Sequence, residues 1–173
     1  MITSQTYSNK SLVRVTDGKK LGEVKDIYLD RDLRQLAAVH LGTEGFFNRN
    51  AQVVGRGAVQ VYGIDAWIVS GDVKVVRLED IPDSDAFILA SQLRGRGIES
   101  EGGTKIGDVE DIIFDSQARI LGFSLHNVYA QGPLEERRTI ARDAITSVGS
   151  KDSPMTITLS KAEALPLPTE PPE

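Results

Sequence analysis

The chain has 173 residues, with 20 Lys and Arg against 25 Asp and Glu and a net charge of −5. That length fits one domain or two small ones, and the acidic balance argues against a broadly basic surface that coats nucleic acid, so no direct DNA binding is expected. The absence of Cys excludes disulfides, thiolate metal sites, iron–sulfur ligation and cysteine nucleophiles. The opening MITSQTYSNK lacks the apolar stretch of a secretory signal. No run approaches the roughly 18 apolar residues that cross a bilayer, so the protein is read as soluble and cytoplasmic, without a transmembrane segment.

In chain order, Asp17-Gly18 marks a tight turn, because this dipeptide accepts positive φ. Gly22 to Asp30 follows as a strand whose apolar phase changes near Asp26, the mark of a bulge or bend. Leu36 to Gly42 and the stretch from Trp67 read as further strands. Pro82, the acids Asp83 and Asp85, and an apolar run ending before Gly95 predict a short helix, with Phe87, Ala90 and Leu93 on one face. The prolines 166, 168, 171 and 172 predict an extended, flexible tail.

The sequence then repeats itself. VRVTDGKKLGEVKDIYLD from Val13 and IESEGGTKIGDVEDIIFD from Ile98 align without a gap, and seven of 18 positions are identical, a match too ordered for chance. LAAVHL from Leu36 matches ILGFSL from Ile120, and VVGRGAVQVYG from Val53 matches TIARDAITSVG from Thr139. The expectation is an all-β protein of two tandem small β-barrels joined by a short helical linker. The first copy is placed at residues 1–80, the linker at 81–93, the second copy at 94–160 and the Pro-rich tail at 161–173.

Lys20-Leu21-Gly22-Glu23-Val24-Lys25-Asp26-Ile27, its counterpart Lys105-Ile106-Gly107-Asp108-Val109-Glu110-Asp111-Ile112, and the later Tyr62-Gly63 and Val148-Gly149 pairs resemble the PRC-barrel family. That family includes the cytoplasmic domain of the photosynthetic reaction-centre H subunit and the C-terminal domain of a ribosome maturation factor. The resemblance implies a small β-barrel that binds proteins and carries no catalytic residues. It points to a non-enzymatic adaptor or assembly module, linked to a photosynthetic or membrane complex, with a ribosome- or RNA-processing factor as the alternative. Self-association is a further expectation.

The residues themselves offer little chemistry. His40 and His126 fall at unrelated positions of the two copies, and neither has partners at metal-ligand spacing. Gly55-Arg56-Gly57 and Gly95-Arg96-Gly97 lack the strand–loop–helix setting of a phosphate loop. The aspartates around Asp30 and Asp115 lack the alternating ligand pattern of a calcium loop and are read as turn caps. No catalytic, cofactor-binding or metal-binding residue is therefore named, and no cofactor is expected. Residues 1–80 hold 11 basic and 10 acidic side chains, residues 81–173 hold 9 and 15, so the copies differ in charge, +1 against −6. The candidate protein-binding residues are Phe46, Phe47 and Arg49. Adjacent aromatics cannot both point inward from a strand, and an exposed ring beside an arginine is typical of binding hot spots.

Overall fold

The computed structural model describes residues 1–45 and 50–169. The candidate residues Phe46, Phe47 and Arg49 lie outside the described residues. The chain is built mainly of strands. The first half carries β1 (Ile2–Thr3), β2 (Ser11–Arg14), β3 (Lys20–Glu23), β4 (Asp26–Leu29), β5 (Leu36–Glu44), β6 (Asn50–Gly55), β7 (Val59–Tyr62), β8 (Ala66–Val69) and β9 (Val76–Arg77). The second carries β10 (Ile88–Leu89), β11 (Gly97–Ser100), β12 (Lys105–Phe114), β13 (Ile120–His126), β14 (Thr139–Ala141), β15 (Ile145–Ser147) and β16 (Met155–Ile157). Four short helices accompany them, α1 (Ser4–Tyr7), α2 (Ala90–Leu93), α3 (Pro133–Arg137) and α4 (Leu159–Ala164).

The strand pairing occurs twice. β2 pairs antiparallel with β3 and parallel with β8, and β11 does the same with β12 and β16. The β4–β5–β6 ladder sets Ile27 opposite Val39 and Val39 opposite Val54. In the second half the matching ladder sets Ile112 opposite Phe123 and Phe123 opposite Ile140. All six side chains are fully buried or nearly so, and burial of such a residue contributes on the order of 1.5–3 kcal/mol. Both ladders carry a bulge at the same point, after Tyr28 and after Ile113. The change of apolar phase near Asp26 falls instead at the break between β3 and β4, and at the equivalent register shift between Val109 and Asp111.

Structure corrects the ungapped alignment of the first strand. Leu12 lies opposite Gly22, whereas Ile98 lies opposite Gly107. The equivalent of Ile98 is therefore Leu12, not Val13. The extra residue sits in the turn, where Gly18 N–H bonds the Arg14 carbonyl but Gly103 N–H bonds the Ser100 carbonyl, each at 2.9 Å. Both glycines have positive φ, 65° and 80°, as their turns require.

The halves also exchange their opening segments. β1, from the start of the first half, pairs antiparallel with β12 of the second, Ile2 opposite Phe114. β10 pairs in the same way with β4 of the first, Ile88 opposite Leu29. Each strand runs into a single helical turn that buries one large side chain, Tyr7 after β1 and Leu93 after β10. The exchange extends to the loops. Leu36 N–H bonds the Ala118 carbonyl at 3.0 Å, and Ile120 N–H bonds the Arg34 carbonyl at 2.8 Å. Arg56 donates to the carbonyls of Gln117 and Ala118 at 2.8 and 3.2 Å. Its counterpart Arg142 donates to those of Asp32 and Leu33, the latter at 2.8 Å. Contacts that run both ways between equivalent residues are those of an isologous dimer, here within one chain. The buried residues of the two halves accordingly form one continuous core.

Three further expectations are corrected. The hydrogen-bonded paths are open, not closed barrels, with orders β10-β4-β5-β6-β9, β3-β2-β8-β7 and β14-β13-β12-β11-β16-β15. The first half breaks at Val24 and Lys25 between β3 and β4, while β12 runs unbroken and keeps the second half in one sheet. The expected helical linker is helical only in its last turn, α2. Asp83 takes a left-handed conformation, Ser84–Ala86 forms a 3-10 turn, and Ile88–Leu89 is drawn into strand pairing with β4. Phe87 packs apart from Ala90 and Leu93, with Ile81, Leu78 and Val76 over Tyr28, Ala38 and Val53. The tail expected to be flexible from residue 161 begins inside α4, where Ala162 is fully buried. Beyond it Leu167 lies against Gly122, leaving no room for a Cβ at that position.

Tyr7 tests the exchange. Its ring meets Trp67 of the first half edge-on at 4.7 Å and Phe114 of the second at 5.0 Å. Tyr7→Ala is expected to cost about 3–5 kcal/mol, the loss of a buried aromatic, in one cooperative urea transition that includes both halves. A transition that splits, with one half unaffected, would contradict a shared core.

Candidate interaction surface

The exchanged segments create two related grooves. The first is lined by Met1, Ile2, Thr6, Lys10, Tyr62 and Ile64. The second is lined by Phe87, Ile88, Gln92, Arg96, Val148 and Ser150, each 86 residues further on, together with Arg31 and Lys151. A glycine closes each turn beside the groove, and a side chain at Gly63 or Gly149 would strike the carbonyl of Ala66 or Pro154. The Tyr-Gly and Val-Gly pairs noted in the sequence are thus equivalent turns.

The two grooves differ in chemistry. The first, about 210 Å³, is largely apolar. Lys10, which lines it, donates to the Ile64 carbonyl. It adjoins a channel of about 630 Å³ along β7, lined by Arg56, Val59, Val61, Tyr62 and Gln117. β7 is the last strand of its sheet. Val61 on β7 is 52 % exposed and Ile64 just beyond it 87 %. The equivalent edge β15 is shorter, with exposed Thr146 and Ser147. The β3 edge is charged: Lys20 holds Glu23 at 2.6 Å and lowers its pKa, with Lys25 adding to the effect. Natural edges are usually blunted by charge or by shortness, and β7 is neither charged nor as short as β9 and β10.

The second groove, about 670 Å³, is cationic at its rim. Arg96 Nη1 donates to the Val148 carbonyl at 2.9 Å, and partial burial lowers the guanidinium pKa. Arg31 is 75 % exposed and 3.9 Å from its nearest carboxylate, Asp32.

The residues weighed for chemistry are not brought together. His40 on β5 faces Asp26 across the ladder, and His126 on β13 lies 4.0 Å from Asp108. Among the described residues, no three His, Asp or Glu side chains converge as a metal-ligand set. The loop aspartates act as turn caps. Asp30 accepts from Arg34 N–H at 2.6 Å, and Asp115 from Gln117 and Arg119 N–H, both at 2.9 Å. Asp111 does more than its sequence signal suggests. It is buried, accepts from its neighbour Ile112 N–H at 2.8 Å, and also takes Ser4 Oγ and Gln5 N–H from the exchanged α1. Arg94 completes this network by donating to Ser4 Oγ at 2.7 Å. Residues 2–7 and 88–93 share little beyond Ile2 and Ile88, so no repeat signal reaches them.

No family model matches the chain, and no curated protein matches it. No helix among the described residues is long and apolar enough to cross a membrane.

His40 gives the fold a pH signature. Burial outweighs the nearby Asp26 carboxylate and pushes the imidazole below its ordinary 6.5. The unfolded chain therefore takes up this proton first. The stability contributed by neutral His40 is complete above about pH 6.5 and is lost as pH falls from there through the folded pKa. Urea titrations on either side of about pH 6.5 should show a smaller loss on acidification for His40→Gln than for the parent. Equal losses would remove His40 as the cause.

Proposed function

We propose that the chain is a non-enzymatic assembly module of the tandem PRC-barrel type, and that it holds a protein partner by adding an extended segment of that partner to the free edge of β7. The twice-repeated pairing pattern, with its shared bulges and glycine turns, supports the family reading. The observation that carries the binding mode is the exposure of Val61 on an uncharged edge strand and of Ile64 just beyond it, with a channel along the strand and a groove at its end. An added strand gains affinity from main-chain hydrogen bonds and specificity from pockets for alternate side chains. The pseudo-equivalent edge β15 offers polar side chains instead, which assigns this role to one copy only.

Val61→Asp with Ile64→Asp places two charges on the edge without touching the core. Affinity purification from the native host should recover partners with the parent chain and lose them with this variant, at an unchanged melting temperature. Identical partner sets from the two proteins would overturn the β7 assignment.

A further inference from the structure

The second groove has no part in the β7 reading. Its floor is apolar, made by Phe87, Ile88 and Val148, all partly buried. Its rim carries three cations, Arg31, Arg96 and Lys151, and Asp85 is the only acid among the residues that line it. None of the three charges is neutralised at close range. Arg31 reaches Asp32 only at 3.9 Å, with both side chains about three-quarters exposed, a separation that contributes little in water. Arg96 spends one N–H on a backbone carbonyl, and Lys151 has no ion pair among the described residues. Arg96 and Lys151 stand in the half of the chain whose net charge is negative, and Arg31 is contributed by the other half. At the equivalent positions of the first groove, Arg31 is replaced by Ser116 and Lys151 by Asp65.

We infer that the groove between Arg31, Arg96 and Lys151 is a second binding site, which takes an extended segment of a protein partner that alternates acidic and apolar side chains. The carboxylates meet the three cations at the rim, where opposite charge speeds encounter and selects the partner. The apolar side chains cover Phe87, Ile88 and Val148, and their removal from water supplies the non-directional part of the affinity. A small inorganic anion would engage the rim and leave the floor bare. With the β7 edge as one site and this groove, where the two halves meet, as the other, one chain bridges two different partners.

A fluorescein-labelled peptide of alternating Glu and Leu tests the site by fluorescence anisotropy against the full chain. Binding is expected, weakening with salt, and weakening roughly tenfold in Arg31→Gln with Lys151→Gln, both exposed and distant from the core. Arg96→Gln should weaken it further. The Val61→Asp, Ile64→Asp variant should bind the peptide normally, so the failure of one site is distinguishable from the failure of the other. Melting curves confirm that each variant is folded. Equal binding of a Gln-Leu peptide, or affinity unchanged by the cation substitutions, would overturn the inference. Capture of phosphatidylglycerol vesicles through the same cations, without peptide binding, would overturn it in favour of a membrane surface.

Discussion

Each half of this chain is completed by a strand and a helical turn that belong to the other half. β1 fills a place beside β12, and β10 fills the equivalent place beside β4. Tyr7 and Leu93 anchor the two segments, and the aromatic group of Tyr7, Tyr62, Trp67 and Phe114 joins residues of both halves. Neither half can bury its apolar surface with its own residues alone. The single core, the relative placement of the halves and the grooves beside the exchanged segments all follow from this constraint.

Polar contacts reinforce the same arrangement where the core ends. Arg56 and Arg142 each reach across to two carbonyls of the opposite loop, 115–120 or 30–36. Those carbonyls lie near residues held in left-handed conformation, Leu33 at φ 51° and Ala118 at φ 56°. A guanidinium can satisfy several acceptors at once because its donors are fixed in a planar fork. Where the halves diverge, they diverge in ways that serve one side only. Arg34 pairs with Asp143 at 2.6 Å, but the residue equivalent to Asp143 is Gly57, which has no carboxylate to offer.

The outer face of each ladder is covered by the segment that follows it in the chain. Residues 76–87 lie over Tyr28, Ala38 and Val53, and Leu167 reaches Gly122 at the end corresponding to Ala38. The alanine-for-glycine difference between LAAVHL and ILGFSL is therefore a matter of space, since Gly122 is hemmed in by the Ile140 carbonyl and Leu167. With these faces covered, the β7 edge and the two grooves remain open among the described residues. They are pseudo-equivalent in backbone and unlike in side chains, which suits one scaffold presenting two different surfaces.

The sequence alone determined the strand content, the duplication and the positions of the turns, because each depends on local chemistry: alternating apolar residues, Asp-Gly and Gly-Gly turns, and aspartates that cap their own loops. It also placed a strand at Trp67, which is the parallel neighbour of the first strand of its repeat. The exchange of β1 and β10 was not legible there, since pairing of Ile2 with Phe114 and of Ile88 with Leu29 joins residues far apart in the chain and leaves no local pattern, and two-residue strands are too short to show periodicity. The predicted helix over 83–93 shrank to one turn for the same reason: pairing of Ile88 and Leu89 with β4 outweighed their local preference. The grooves, too, were decided only by tertiary structure. Arg31, Arg96 and Lys151 are unremarkable charges along the chain, and they share a rim only because the halves meet by reciprocal exchange.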